Sequence, residues 1–515
     1  MNTATARAAM HADGTPVEVL ADILRKQAAA TPDGVAVVQD GTPVTYRELN
    51  EASTRVARAL LADGVAAGDR VAVIVPNSAQ FLELLFGVAK IGAIASIVGD
   101  RLSRAEVLSI LERVEPTVVV GLHEALVETV RGARRTVASA ADYEAWIGAF
   151  DAVDPEIQVD SAAPVVMQFS SGTTGQPKGI LLTARGIGFA LAGLQGQLEL
   201  GPTSVALAPV PFSHITGMGL ALVSLLGGST LVLDVSTDPV EFVQQLVGRR
   251  VSHAVMVPTL VQRLVQSPVV RSLDWSALKY IVYGGAPMPL STIQDATEIL
   301  GCRFVQSYGL TESTGAVTVL SPEDHLAAGA AEHRLRSVGR PTPGCPIRIV
   351  DPATLEDMPP GAVGEVLIGG PQLMAGYYGN ASATDEVIVD GWLRTGDGGS
   401  FDSDGYLYLH DRLKDMIISG GENVYPAEVE SVISGMDGVA EVAVVGVASE
   451  KWGESPYAVI VRMPDSDIDE DAVIRHVRSE LARYKCPVGV SFVDVLPRNA
   501  SGKLLKRTIR KNLAS

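Results

Sequence analysis

The chain has 515 residues, 47% of them hydrophobic, enough to bury more than one core and so to build more than one domain. Aromatic residues make up only 5%, so packing rests on Ala, Val, Leu and Ile. The formal charge of −18, from 59 acidic and 41 basic residues, repels nucleic acid and anionic lipid and makes each lysine or arginine inside a motif informative.

Three cysteines, Cys302, Cys345 and Cys486, are scattered without a Cys/His cluster. They indicate neither a zinc site nor a disulfide framework and suit a reducing cytoplasm, the expected location. Met1 to Pro16 lack an apolar core of signal-peptide length. Helical spacing runs from Val17 to Ala30 and stops at Pro32. Val35–Val38 and Pro43–Tyr46 flank Asp40-Gly41 as a hairpin. Thr45, with Glu48 three residues on, is a capping box that opens a helix continuing to Ala62. A buried strand over Gly68–Ile74, a helix over Ala79–Ile91 and a second strand follow. Strand and helix then alternate to residue 310, the pattern of an α/β architecture with parallel sheets. Residues 154–164 are polar and read as a loop. Ile215 to Val235 is apolar but broken by Gly217, Gly219, Gly227 and Gly228, which reads as a buried helix running into a buried strand, not a membrane span.

Several stretches carry chemistry. The strand Pro164–Met167 leads into Phe169-Ser170-Ser171-Gly172-Thr173-Thr174-Gly175-Gln176-Pro177-Lys178-Gly179-Ile180. Its glycines let backbone N–H groups face an anion, its hydroxyls add neutral donors, and Lys178 adds a mobile positive charge, as a polyphosphate requires. It is not the P-loop pattern, because glycine follows Lys178. Pro211-Phe212-Ser213-His214-Ile215-Thr216-Gly217 follows the strand Val205–Ala208. Tyr280 to Pro287 reads as strand, turn and helix. Gln306-Ser307-Tyr308-Gly309-Leu310-Thr311-Glu312-Ser313 and Gly391-Trp392-Leu393-Arg394-Thr395-Gly396-Asp397 come next. Asp411-Arg412-Leu413-Lys414-Asp415 precedes a glycine-rich segment, Ser419 to Pro426, and the helix Ala427–Ile433. Val439–Val447 reads as a strand, and the chain closes on the basic run Pro497 to Arg507.

In this order the motifs resemble the adenylate-forming enzymes: acyl-CoA synthetases, aryl-CoA ligases, luciferases and peptide-synthetase adenylation domains. The resemblance spans about residues 15–510. It implies a large N-terminal domain of parallel-sheet α/β layers plus a distorted β-barrel, residues 1–413, and a small mobile α+β C-terminal domain, residues 414–515, hinged at Lys414. It implies an AMP-forming acid:CoA ligase with ATP, Mg²⁺ and coenzyme A. Ser170, Ser171, Gly172, Thr173, Thr174, Gly175 and Lys178 would hold the phosphates, Thr174 among the catalytic groups. Gly284, Gly285 and Ala286 would wall off adenine and acid. Tyr308, beside Gly309, would stack on adenine, Thr311 would donate to phosphate, and Glu312 would bind Mg²⁺, which prefers hard carboxylate oxygens. Asp397 would accept from both ribose hydroxyls, and Arg412 would reach ribose and phosphate. His214, Ile215, Thr216, Gly284, Gly309, Gly315 and Ala316 would form the acid pocket, with His214 gating the thiol entrance. Ser419, Gly420, Gly421 and Trp452 would admit CoA, core packing being the alternative for Trp452. Lys503 would bridge the substrate carboxylate and the α-phosphate. The two steps need different groups at one carbonyl, so the small domain would swing about Lys414 between them, withdrawing Lys503 and bringing up Gly420-Gly421.

Three departures from the family pattern refine this. Gly99 stands where an Asn usually precedes the arginine, here Arg101. Ser213-His214, not Asp, follows Phe212, so an α-ammonium would be left desolvated and unpaired, which disfavours amino acid substrates. Ile418 replaces the lysine of plant coumarate ligases and luciferases. The small pocket linings leave room for a bulky aryl or medium-to-long acyl group. A carrier-protein pantetheine as acceptor, a single retained half-reaction and a silent binding protein of the same fold are the alternatives. No membrane span is expected, and the oligomeric state, monomer or homodimer, stays open.

Overall fold

The computed structural model describes residues 19–121, 132–171, 177–207, 209–233, 235–236, 238–285, 288–326, 329–412, 415–419, 422–449, 451–464, 466–498 and 504–513. Local chemistry explains the first elements. The helix Leu20–Ala30 buries Leu20, Ala21, Ile23 and Leu24 and ends ahead of Pro32. Val35–Gln39 and Thr42–Thr45 pair antiparallel across Asp40 and Gly41, whose φ values of 51° and 72° suit a tight hairpin turn. The capping box forms in both directions. Thr45 N–H donates to Glu48 Oε2 at 2.8 Å, and Glu48 N–H donates to Thr45 Oγ1 at 3.2 Å, opening the helix Tyr46–Ala62.

The described strands form four sheets. The first has seven strands, ordered Gly376–Tyr377, Pro177–Thr183, Pro164–Ser171, Ile94–Ile97, Arg70–Ile74, Val118–Gly121 and Arg135–Val137. It is parallel from Pro164–Ser171 onward and antiparallel at the other end. The second has nine strands and runs from Arg340–Pro341 through Gly315–Leu320, Arg303–Leu310, Tyr280–Gly284, His253–Met256, Val205–Leu207 and Thr230–Val232 to the first hairpin. Its middle strands are parallel and its ends antiparallel. The expected α/β class with parallel sheets holds in the middle of both sheets, and hairpins add antiparallel strands at their margins. The apolar stretch after His214 resolves into the helix Ile215–Leu226 and the strand Thr230–Val232, as its glycines indicate.

The third sheet is a half-barrel of Ile347–Val350, Gly364–Ile368, Trp392–Phe401 and Ile388–Val389, with Leu407–Arg412 against Trp392–Phe401. The fourth, Glu422–Val424, Ile417–Ser419, Gly453–Arg462, Val439–Ser449 and Val490–Phe492, packs on the helices Pro426–Ser434 and Glu470–Glu480. It carries apolar clusters of its own, one around Ile417, Val429, Ile433 and Ile460 and one around Val445, Leu496 and Ile509. The fold is thus a large α/β N-terminal part with a half-barrel, followed by a smaller α+β C-terminal part.

Candidate active site

The strand expected over Pro164–Met167 runs on to Ser171, and Pro177–Thr183 returns beside it, so the glycine- and threonine-rich segment links the two strands of a hairpin. Ser170 lies opposite Lys178 and Ser171 opposite Pro177. Gly172, Thr173, Thr174 and Gly175 lie outside the described residues, as do Ala286, Lys414, Gly420, Gly421 and Lys503. The Lys178 ammonium stands 4.5 Å from the centre of the Tyr377 ring.

From the second sheet, Arg303–Leu310 carries Tyr308 and Gly309 toward the same region and turns through a short 3₁₀ segment, Thr311–Ser313, into Gly315–Leu320. Buried Ser313 braces this turn: its hydroxyl accepts from Leu310 N–H at 3.0 Å and lies 3.0 Å from the Gly315 carbonyl oxygen. Thr314 sits at φ 54°, a left-handed conformation that costs a threonine energy, and its hydroxyl donates to the Gln372 carbonyl. Glu312 is held twice. Its carbonyl accepts from Met374 N–H at 2.8 Å, and its carboxylate Oε1 accepts from the Tyr377 hydroxyl at 3.0 Å.

The third sheet supplies Asp397, which lies within the strand Trp392–Phe401, 8% exposed. The Tyr308 hydroxyl donates to Asp397 Oδ2 at 2.7 Å, joining the adenine and ribose candidates across two sheets. Asp397 N–H donates to Thr395 Oγ1 at 3.0 Å, and the Thr395 hydroxyl donates to the Val366 carbonyl at 2.7 Å. A buried Glu365 takes Arg394 at 2.6 Å and Gly396 N–H at 3.1 Å, which fixes the backbone just ahead of Asp397. Arg412 pairs with Asp397 in the backbone register of adjacent strands.

His214 caps the start of the helix Ile215–Leu226 and is half-buried, with Ile215 beside it and Thr216 exposed. Burial, with a smaller push from Arg101, depresses its pKa below the usual histidine value, so the ring is neutral at pH 7. A Cβ on Gly315 would stand 3.5 Å from Ile215 Cγ1, and a Cβ on Gly309 would strike the Gly315 carbonyl oxygen. A Cβ on Gly284 would press on the Ser307 carbonyl. Gly284, Gly309, Gly315, Ala316 and Ile215 therefore cluster, and Gly284 and Gly309 are glycines because backbones pass there at contact distance.

Among the CoA candidates, buried Ser419 pairs in register with Gly453, next to Trp452. Trp452 is 48% exposed with Lys451 4.6 Å over its ring, so the core-packing alternative for it is set aside. Sequence reading missed Asn77. Its amide donates to the Val210 carbonyl at 3.0 Å and accepts from Phe212 N–H at 2.7 Å, clamping the loop before His214. Its neighbour Ser78, the cap of the helix Ala79–Lys90, was the only local signal there. Tyr377 was missed for the same reason: its role is set by partners 65 and 199 positions away in the chain, Glu312 and Lys178.

Residues 24–378 match the family model described as AMP-binding enzyme, and residues 428–503 match the AMP-binding enzyme C-terminal domain. The chain belongs to the AMP-binding enzyme family. It is an adenylate-forming ligase of the acyl-CoA synthetase type. It is similar to a feruloyl-CoA synthase from an Amycolatopsis species, 37% identical over 94% of this chain and 97% of that one. It is also 36% identical to a fatty acid–[acyl-carrier-protein] ligase of Streptomyces coeruleorubidus, over 93% of each. The ATP-bound structure of MatB from Rhodopseudomonas palustris superposes with a TM-score of 0.88 at 28% identity, covering 96% of this chain and 98% of that one. No helix of the described residues is long and apolar enough to cross a membrane.

Proposed function

We propose that this AMP-forming ligase activates an aryl or acyl carboxylic acid in two steps, with a bulky aryl or medium-to-long acyl group as substrate. ATP and CoA are its co-substrates. In the first step a carboxylate oxygen bonds to the α-phosphorus of ATP and the bond to pyrophosphate breaks. In the second the thiol sulfur bonds to the acyl carbon, AMP departs with the bonding electrons of the acyl–oxygen bond, and the thiol proton is released.

The observation that carries this reading is two sets of contacts, Tyr308 with Asp397 and both Glu312 and Lys178 with Tyr377, brought near each other because Tyr308 and Glu312 lie on one strand and the turn that follows it. In this reading Asp397 takes the ribose, Tyr308 the adenine, Glu312 the metal and Lys178 the phosphates. Arg412, Lys178 and Lys503 supply positive charge, and Thr173, Thr174 and Thr311 donate hydrogen bonds. Such preorganised contacts typically contribute about 10²–10³ in rate each. Among the described residues no group of three or more His, Cys, Asp or Glu could hold a metal unaided. A lone Glu312 carboxylate fits Mg²⁺, which takes one or two protein carboxylates and completes its shell with phosphate oxygens and water. When bound, the ion neutralises phosphate charge.

Residues 1–413 form the nucleotide and acid domain in this reading, and residues 414–515 pivot at Lys414 to bring Ser419, Gly420, Gly421 and Trp452 to the acyl group beside neutral His214. A carrier-protein pantetheine is the second reading, favoured by the similarity to the Streptomyces coeruleorubidus ligase. Pyrophosphate release across aryl, short and long-chain acids, with CoA or a pantetheinylated carrier protein, tests substrate and acceptor together. Lys503→Ala is expected to abolish pyrophosphate exchange and largely spare thiolysis of a supplied acyl-adenylate. Equal loss of both would overturn the division of labour.

A further inference from the structure

Lys178 and Glu312 arrive from different sheets and carry opposite charges. Left to themselves in a shared cleft, two such side chains collapse onto each other and neutralise the charges that a metal-bound polyphosphate needs. Among the described residues they form no ion pair with each other. Each instead meets a different part of one side chain. The Lys178 ammonium lies over the face of the Tyr377 ring at 4.5 Å, and the Tyr377 hydroxyl donates to Glu312 Oε1 at 3.0 Å.

Tyr377 is itself immobilised. It is 9% exposed, and its backbone is tied to both clients. Gly376 and Tyr377 pair with Leu181 and Ile180, three and two positions beyond Lys178, while Tyr378 N–H donates to the Gly179 carbonyl at 2.7 Å. Met374 N–H donates to the carbonyl of Glu312 itself. Tyr377 N–H donates to Thr384 Oγ1 at 2.9 Å, and Gly376 at φ 143° leaves no room for a side chain against Thr384. A ring so fixed sets the separation between the two sheets at the place where both present charge.

Resting on the functional reading above, we propose that Tyr377 is a positioning residue that orients the Glu312 carboxylate through its hydroxyl and parks the Lys178 ammonium on its ring, holding both apart and ready for a metal-bound ATP. The hydroxyl takes Oε1, which would leave Oε2 to a metal ion. The ring attracts the ammonium less strongly than a carboxylate or phosphate does, so Lys178 is released when the phosphates arrive.

Tyr377→Phe keeps the ring and removes the hydroxyl, and Tyr377→Leu removes both. The test is calorimetric titration with ATP at a series of Mg²⁺ concentrations, without acid substrate, alongside titration with metal-free AMP. In Tyr377→Phe the Mg²⁺ concentration giving half-maximal ATP binding should rise about tenfold, with AMP affinity unchanged. Tyr377→Leu should in addition weaken ATP binding in the absence of Mg²⁺. A folded Tyr377→Phe protein with the wild-type Mg²⁺ dependence overturns the proposal, as does a loss of AMP affinity equal to the loss of MgATP affinity. Wild-type protein that binds no MgATP would overturn the functional reading instead, and that outcome is distinct from the other two. Should Tyr377→Leu not fold, the isosteric Tyr377→Phe decides alone.

Discussion

The backbone leading to His214 is held by a side chain remote in the sequence. Asn77 fixes the backbone at Val210 and Phe212 with two hydrogen bonds, and His214 is two residues further along. Each such bond contributes about 0.5–1.5 kcal/mol net. Asn77→Ala is therefore expected to lower stability by about 1–3 kcal/mol, measured by urea unfolding. It should slow thiolysis of a supplied acyl-adenylate more than pyrophosphate exchange, because the loop it frees leads to the proposed thiol entrance at His214 and is separate from the phosphate hairpin. Equal slowing of both reactions would remove Asn77 from that role. At this scale the residue types were legible in the sequence, since Lys178, Tyr308, Glu312 and Asp397 stand within distinctive strings. Their braces were not. Glu365, Asn77 and Tyr377 act on partners remote in the chain, and no local string marks a contact of that kind.

Among the described residues, strands carry Lys178, Tyr308 and Asp397. Asp397 sits inside a ten-residue strand pinned on one side by Gly364–Ile368 and on the other by Leu407–Arg412. The strand Arg303–Leu310 shifts register against its neighbour between Tyr308 and Gly309, a bulge that lets Tyr308 face Asp397 while Gly309 passes the Gly315 carbonyl. Gly309→Ala would force these backbones apart. A displacement of about 1 Å is enough for a loss on the order of 10²-fold in pyrophosphate exchange, which is the expected result. At the first long helix, Thr45→Ala removes one half of the capping box and should cost about 1 kcal/mol of stability, read as a lower unfolding midpoint with activity per folded molecule unchanged. This helix start, the first hairpin and the break of the stretch after His214 into helix and strand were all legible, because capping, turn and glycine signals act within a few residues. The antiparallel margins made by Gly376–Tyr377 and by Gly315–Leu320 were not, because pairing direction there depends on where the chain returns.

Over the whole molecule, charge and burial set the response to pH. His214, His253 and His325 all have pKa values depressed mainly by burial. His253 is 1% exposed between the Leu198 carbonyl and Ser252, and His325 is buried between Tyr283 and the Ser321 carbonyl. In the unfolded chain each binds a proton near pH 6.5, while the native protein takes it up only at lower pH. The unfolded state therefore holds more protons in that window, and stability falls as pH drops below about 6.5, by up to about 1.4 kcal/mol per pH unit for each group. Urea midpoints at pH 7.5 and 5.5 should show the fall, and His253→Gln should reduce it. An unchanged slope would mean that His253 does not contribute.

By itself the sequence determined the family, the order of the motifs, the α/β class and which charged residues stand in those motifs. These follow from residue type and short spacing, which operate along the chain. The tertiary structure alone decided which groups meet: Tyr308 with Asp397, Glu312 and Lys178 with Tyr377, Asn77 with the loop before His214. Those meetings depend on how separate sheets dock, and docking is fixed by the packing of apolar surfaces whose partners lie tens to hundreds of residues away.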